Sequence, residues 1–192
     1  MATNPTITRR RLLLGLPFAA AATVGVGFSV MLYRMHAGSF DPHNIRIPVL
    51  NKPVPEFSFA ALRGIGKGFS NQDLYHITQP VLVNFFASWC IPCITENPAL
   101  MALKAHLPIW GVAYKDQPDN TRNFLNHHGN PYTRIASDLE GISSLNWGLS
   151  GVPESFLILP GGIINWHMAL PLTDKIIHTT LLPLLTQLTT KP

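Results

Sequence analysis

A chain of 192 residues, 46% hydrophobic and 12% charged, has room for one domain of ordinary size plus an appendage. Its formal charge of +4 arises at the start: four of the 14 Lys and Arg lie at or before Arg34, and the other 10 balance the 10 Asp and Glu that all follow it. With no basic patch, phosphate-cradling glycine loop or arginine-rich tail, nucleic-acid and nucleotide binding are set aside.

Arg9-Arg10-Arg11 precedes 22 uncharged residues, Leu12 to Tyr33, and the next basic residue is Arg34. As a helix this stretch spans about 33 Å, enough for a bilayer core. Residues 1–11 therefore read as a cytoplasmic N-terminus and 12–33 as one transmembrane anchor, with the arginines keeping the N-terminus inside. Residues 34–50, polar and broken by Pro42 and Pro48, read as a tether. A cleaved signal peptide is the competing reading, since Ala19 to Ala22 supply small residues, but cleavage there leaves an apolar run through Leu32 on the mature chain. Thr8 to Leu13 also resembles a twin-arginine export signal, without its usual later lysine.

Residues 51–192 read as the folded domain. Phe57, Phe59 and Leu62 predict a short strand, and Gly64, Gly66 and Gly68 a hairpin turn before Phe69. Val81 to Ala87 is almost wholly apolar and β-branched or aromatic, as a strand buried on both faces is. Cys90-Ile91-Pro92-Cys93 follows, with a helix beginning at or just before Cys93 and an apolar face of Ile94, Leu100, Met101, Leu103 and Leu107. Ile109 to Ala113 predicts the next strand, closed by Tyr114-Lys115-Asp116. Thr121 to His128 predicts a helix, Gly129-Asn130-Pro131 a turn and Tyr132 to Ala136 a strand. Ile142 to Trp147 is a short helix, and Ser155–Leu159 and Ile163–His167 are strands joined at Pro160-Gly161-Gly162. Thr173 to Leu188 closes the chain as a helix that Pro183 kinks or shortens. This alternation predicts an α/β fold with a parallel core and an antiparallel hairpin at one edge.

The chemistry lies at the cysteines. A helix N-terminus favours an anion and lowers the pKa of a thiol held there, so Cys90 is expected to be the more ionised thiol. Three residues of spacing on the first helical turn bring the sulfurs close enough to bridge, so that Cys93 can resolve a mixed disulfide formed at Cys90. Pro92 fits the first turn, where its missing N–H costs nothing. Structural zinc is disfavoured because the chain has no further cysteine and its eight histidines show no paired spacing beyond His127-His128. Two inert core thiols remain an alternative, opposed by Trp89 before the pair and Pro92 within it, which suit an exposed turn.

Phe85 to Cys93 (FFASWCIPC) resembles the active-site segment of thioredoxin-like proteins, and Gly151-Val152-Pro153-Glu154-Ser155-Phe156 resembles their cis-proline loop. Lys52 to Phe57, Tyr114-Lys115-Asp116 and Gly129-Asn130-Pro131-Tyr132 also match, and the resemblance narrows to the CcmG/DsbE family, the membrane-anchored periplasmic thioredoxins of cytochrome c maturation. It covers essentially all of Asn51 to Pro192. It implies a thioredoxin-like fold, a mixed sheet flanked by helices, carried by a single-pass protein of the bacterial inner membrane with its C-terminal domain in the periplasm. Pro153 is then cis beside Cys90, and Val152 offers its backbone to an extended substrate peptide. A plain trans turn is the alternative. Thioredoxins carry a buried aspartate where this chain has Asn84, which does not titrate; Glu96, three residues after Cys93, and Glu154 match acidic positions of the family and are the candidates for handling the Cys93 proton.

The resemblance implies a reductant of the apocytochrome c Cys-x-x-Cys disulfide, directly or through an intermediary thiol protein, recharged by a membrane electron donor of the DsbD/CcdA type. The redox-active pair Cys90-Cys93 is its equipment, with no metal and no other cofactor. Ser150, Leu159 and Leu170 depart from the family pattern, which keeps open a broader anchored reductase of the TlpA/ResA kind. A third reading, in which the thiols serve a non-catalytic holdase or copper handler, lacks a third patterned ligand.

Overall fold

The structure, a computed structural model, describes residues 21–33 and 50–189. The chain divides into two compact units, Met1–Arg46 and Ile47–Pro192. In the first, residues 21–33 form a helix, α1, exposed along its length. Among the described residues no helix is long and apolar enough to cross a membrane. Residues 12–20 of the predicted anchor, the segment 1–11 and the tether up to residue 49 lie outside the described residues.

The second unit is built on β3 (Val81–Phe86), in which every residue is buried. Both faces of this strand are apolar because both are covered. Leu82 and Phe86 meet α3 (Ile91–Leu103) and α4 (Pro118–His128) through Leu100, Leu103, Phe124 and Leu125. Val81, Val83 and Phe85 point the other way, to a second core with Phe57, Trp147 and Phe156. That core is aromatic: Trp147 lies edge-on to Phe57, Phe85 and Phe156 at 5.2–5.4 Å between ring centroids.

β3 pairs in parallel with β4 (Ile109–Tyr114), which pairs in parallel with β5 (Arg134–Asp138). On its other side β3 is antiparallel to β6 (Glu154–Leu159), which turns at Gly161-Gly162 into β7 (Ile163–Met168). The opposite edge is also antiparallel, with β1 (Ser58–Ala61) against β5 and β2 (Phe69–Ser70) outside it. The seven strands run β2-β1-β5-β4-β3-β6-β7. The mixed α/β sheet with helices against it is as expected; the glycine-rich hairpin proves to extend that same sheet.

Several boundaries differ from the sequence reading; β5, expected at Tyr132 to Ala136, is Arg134–Asp138, and three differences lie in helices. Helix α3 starts at Ile91, with Cys90 as its N-cap, and its buried face carries Cys93, Glu96, Asn97, Ala99, Leu100 and Leu103, whereas Ile94 is 36% exposed. Helix α4 starts at Pro118, because proline is already shaped for the first helical turn. In the closing segment, α6 (Asp174–Ile176) leads through a π-helical turn, Ile177–Leu181, into α7 (Leu182–Thr189). The Leu182 amide reaches back five residues to the Ile177 carbonyl. This widened turn lies just before Pro183, whose ring would crowd the carbonyl four residues earlier in a regular α-helix. Between these elements, α2 (Asn71–Tyr75) follows β2 and α5 (Ile142–Asn146) precedes the segment leading to β6.

Candidate active site

Strand β3 delivers the chain to the end of the sheet, and α3 takes it away from Ile91, directly after Cys90. Cys90 and Cys93 are joined in a disulfide with an S–S distance of 2.06 Å. Cys90 has extended backbone, and its sulfur accepts the Cys93 amide at 3.2 Å, the N-cap position of the helix. An N–H aimed at that sulfur and the first turn of a thirteen-residue helix both favour a thiolate there once the bond is reduced. The two cysteines are buried, at 3% and 2% exposure, while their neighbours Trp89 and Ile91 stand out at 57% and 76%. The exposed turn inferred from sequence is thus formed by the flanking residues rather than by the sulfurs.

Asp116 holds this turn in place. It is buried; its carboxylate accepts the Ser88 amide and hydroxyl, each at 2.8 Å, and the Thr121 hydroxyl at 2.8 Å. The Trp89 indole N–H donates to the Lys115 carbonyl at 3.2 Å. Tyr114-Lys115-Asp116, which from sequence was only a corroborating match, is the anchor of the loop before Cys90.

The second loop comes from β6. The register Phe85↔Glu154 sets the residues before Glu154 against the segment that follows β3, and pairing stops there, so Val152 lies outside the ladder. The Val152–Pro153 peptide is cis, as the resemblance implied. Glu154, 1% exposed, turns its carboxylate under this loop: Oε2 accepts the Ser150 amide at 2.9 Å, the Ser150 hydroxyl at 3.1 Å and the Gly151 amide at 3.3 Å. Its Oε1 lies 2.5 Å from His167 Nε2 on β7. Through these contacts, three on Oε2 and one on Oε1, Glu154 fixes the proline loop. Ser150, noted as a departure from the family pattern, is part of that clasp.

Glu96 sits on the α3 face that carries Cys93. Its Oε1 accepts Asn84 Nδ2 at 2.7 Å and its Oε2 the Leu172 amide at 2.7 Å. Asn84 also donates to the Ser155 hydroxyl at 3.0 Å and accepts the Tyr132 hydroxyl at 2.8 Å. Burial pushes the Glu96 carboxyl up to about 7, against the two N–H donors that favour its charged form. Burial, and then the Glu96 charge, raise Tyr132 well above its ordinary value. A buried carboxyl that changes charge near neutrality, next to a dithiol, can take up and return a proton.

The predicted residues thus fall into two groups. Cys90, Cys93 and Glu96 lie at the N-cap and on the first turns of one helix, and Val152 and Pro153 form the loop that leads into β6 at Glu154. Asn84, Asp116, Tyr132, Ser155 and His167 are the partners that sequence reading did not assign. Asp116 and Tyr132 had a signal, as the last residues of two matched motifs; His167 had none, being one position in a plain hairpin strand. His127 and His128 end α4, the former with Nδ1 2.7 Å from the Asn123 carbonyl and the latter with its ring 5.0 Å from that of Phe124. Among the described residues no group of three or more His, Cys, Asp or Glu is disposed to hold a metal ion.

Residues 50–167 match the AhpC/TSA family. The chain is 38% identical over 143 residues to the probable thiol:disulfide interchange protein DsbE-2 of Pasteurella multocida, covering 74% of this chain and 75% of that one. It is 37% identical over 166 residues to the thiol:disulfide interchange protein HelX of Rhodobacter capsulatus, covering 86% and 90%. Among solved structures, the thioredoxin domain of a Bacteroides vulgatus thiol-disulfide oxidoreductase matches with a TM-score of 0.58 at 19% identity, over 71% of this chain and 97% of that one. A secreted Mycobacterium tuberculosis disulfide oxidoreductase homologous to DsbE of E. coli matches at 0.51 and 18%, over 60% and 84%. These two likenesses establish the thioredoxin-like fold. A Cys-x-x-Cys disulfide at the start of a helix, a cis-proline loop leading into the strand paired with β3 and this degree of identity over most of both chains lead to one conclusion: the chain belongs to the AhpC/TSA family of thioredoxin-like proteins and, within it, to the DsbE-type thiol:disulfide interchange proteins.

Proposed function

We propose that this thiol:disulfide oxidoreductase is held at the bacterial inner membrane by residues 12–33 and works in the periplasm as a reductant, with the Cys-x-x-Cys disulfide of apocytochrome c as its target, met directly or through an intermediary thiol protein. Reduced Cys90, as thiolate, attacks one sulfur of the target disulfide; a mixed disulfide forms and the other target sulfur leaves as thiolate. Cys93 gives its proton to the Glu96 carboxylate and attacks Cys90 Sγ, so the target's second sulfur leaves and the Cys90–Cys93 disulfide closes. Two electrons pass to the target, and its two thiolates take up protons, one of them returned by way of Glu96. Val152 and Pro153 offer the extended target an edge to lie along, Glu154 holds that loop, and exposed Trp89 flanks the reacting sulfur. No cofactor beyond the disulfide enters this cycle. Recharging falls to a membrane electron donor of the DsbD/CcdA type, because a periplasmic domain has no access to the cytoplasmic thiol pool.

The observation that carries the reading is the disulfide at the α3 N-cap with a near-neutral carboxyl on the same helix. The matches over 85–93 and 151–156 and the DsbE-type relatives support it. A broader anchored reductase is the second reading, favoured by Leu170, which is 46% exposed where the family pattern expects glycine. The deciding measurement is the reduction potential of the full-length protein, in detergent, equilibrated with glutathione. A value well below that of glutathione is expected; a value near the −120 mV or so of a strong oxidant would overturn the reductant assignment. Cys93→Ser should then stall as a mixed disulfide on a peptide carrying Cys-x-x-Cys-His, the haem-attachment pattern.

A further inference from the structure

Tyr132 is a buried tyrosine whose hydroxyl has one partner among the described residues, Asn84 Oδ1. Its ring is stacked on Phe86, with centroids 4.6 Å apart and planes 24° apart, and Gly111 leaves room for it: a Cβ there would lie 2.8 Å from the ring. The hydroxyl is therefore fixed in place by packing on the sheet, not by a flexible reach. This bond, together with the Glu96 oxygen that accepts Nδ2–H, favours one way round for the Asn84 amide. An amide has one accepting and one donating end, and a phenol placed against the accepting end turns the donating end to Glu96 and Ser155. With the amide turned over, Oδ1 would face the Glu96 oxygen and the phenolic proton would be left buried without an acceptor.

We propose that Tyr132 is a positioning residue for the thiol chemistry: by occupying the accepting end of Asn84 it keeps an N–H donor on the Glu96 carboxyl, and so favours, against burial, the charged form that accepts the Cys93 proton. The inference rests on the reading of Glu96 as proton acceptor. Among the described residues the groups around Glu96 are few. Strands β3 and β6 present Asn84 and Ser155, the segment before α6 presents the Leu172 amide, and the titratable neighbours are Tyr132 and, on its own helix, the Cys90–Cys93 pair. No charged side chain contributes to its displacement from ordinary carboxyl behaviour. Burial and the Leu172 amide act on the charge of this group, and the Asn84 amide, with the phenol behind it, acts beside them.

The test is stopped-flow reaction of the reduced full-length protein with the aromatic disulfide dithiobis(nitrobenzoate). The first phase is attack by Cys90, and the second, independent of reagent concentration, is release of the aromatic thiolate as Cys93 closes the disulfide. In the wild type the second phase is expected to speed up as pH rises through about 7, the value to which Glu96 is displaced. Tyr132→Phe frees the amide to turn and lets a protonated Glu96 donate to Oδ1. The rise should move to higher pH, giving release about tenfold slower near pH 6 and unchanged near pH 9. Asn84→Asp keeps the acceptor for Tyr132 but replaces the donor with a carboxylate oxygen, and should move the rise in the same direction and further. Glu96→Gln should abolish the rise, and adding Tyr132→Phe to it should change nothing more. If Glu96→Gln abolishes the rise while Tyr132→Phe and Asn84→Asp leave it in place, the inference is overturned and the proton-acceptor reading stands, even where the variants are less stable. If Glu96→Gln keeps the rise, the proton-acceptor reading falls and this inference with it.

Discussion

Glu96 is drawn two ways, and the balance is measurable apart from any catalysis. Burial favours the neutral carboxyl, the N–H groups of Leu172 and Asn84 favour the carboxylate, and burial prevails, taking the group from 4.5 to about 7. The folded protein then holds a proton, between those two values, that the unfolded chain has released. The stabilising contribution of the neutral form is complete below about 4.5 and is lost as pH rises through about 7. The loss amounts to about 3 kcal/mol, taken over the displacement of the group. Denaturant unfolding of the oxidised protein across that range should show stability falling with pH, and Glu96→Gln should flatten the slope. A slope of the same size in Glu96→Gln would assign it to another group. The sequence revealed part of this: spacing put Glu96 on the face of Cys93, and the loss of the strand aspartate to Asn84 was visible. What it concealed was that Asn84 and Glu96 are partners, because the pairing depends on how α3 lies against β3, and the Leu172 amide that completes it is 76 residues away.

At the scale of elements, the features read correctly were those with a period or a breaker. Val81 to Phe86 is a central strand because both faces are apolar, and Pro160-Gly161-Gly162 turns a hairpin because two glycines there take positive φ, +84° and +75°. Helix α3 was read correctly at Leu100 and Leu103 but not at Ile94. Its inward face at the active-site end is chemical rather than apolar, so Glu96 and Asn97 go in and Ile94 goes out. The turn between β3 and α3 is held from outside its own sequence, by Asp116. Asp116→Ala would leave the Ser88 amide and hydroxyl and the Thr121 hydroxyl facing a gap, and should cost about 2–4 kcal/mol of stability. It should also slow the Cys90 phase with small disulfides, since the loop that carries the sulfur loosens. Urea unfolding together with that first-phase rate checks both. A variant with unchanged stability and rate would mean that α3 alone places Cys90. The proline loop has a comparable clasp in Glu154 and His167, across two strands that the sequence reading joined only as a hairpin.

Taken whole, the molecule sets a rigid redox end on a sheet covered on both sides, and its topology follows from which runs are apolar on two faces and which on one. The start of the chain calls for a different physical argument. Leu12 to Tyr33 has no charge and is flanked by Arg9-Arg10-Arg11 and Arg34, and the later part of this run, residues 21–33, is helical and exposed along its length. Burying that exposed apolar surface in lipid removes it from water, and a span of 22 residues matches the bilayer core at about 33 Å. If the run is an uncleaved anchor with its basic flank inside, the protein made in a bacterium should remain in the membrane fraction after alkaline carbonate washing, with residues 12–33 still attached. Protease added outside spheroplasts should then destroy the domain that follows Arg34. The same treatment of a Leu12-to-Tyr33 deletion should find the domain protected in the cytoplasm, where its disulfide is kept reduced. Recovery of a shortened, freely soluble periplasmic form would establish cleavage after Ala19–Ala22. The thiol chemistry would stand, but the proposed membrane electron donor would have to be reached by diffusion.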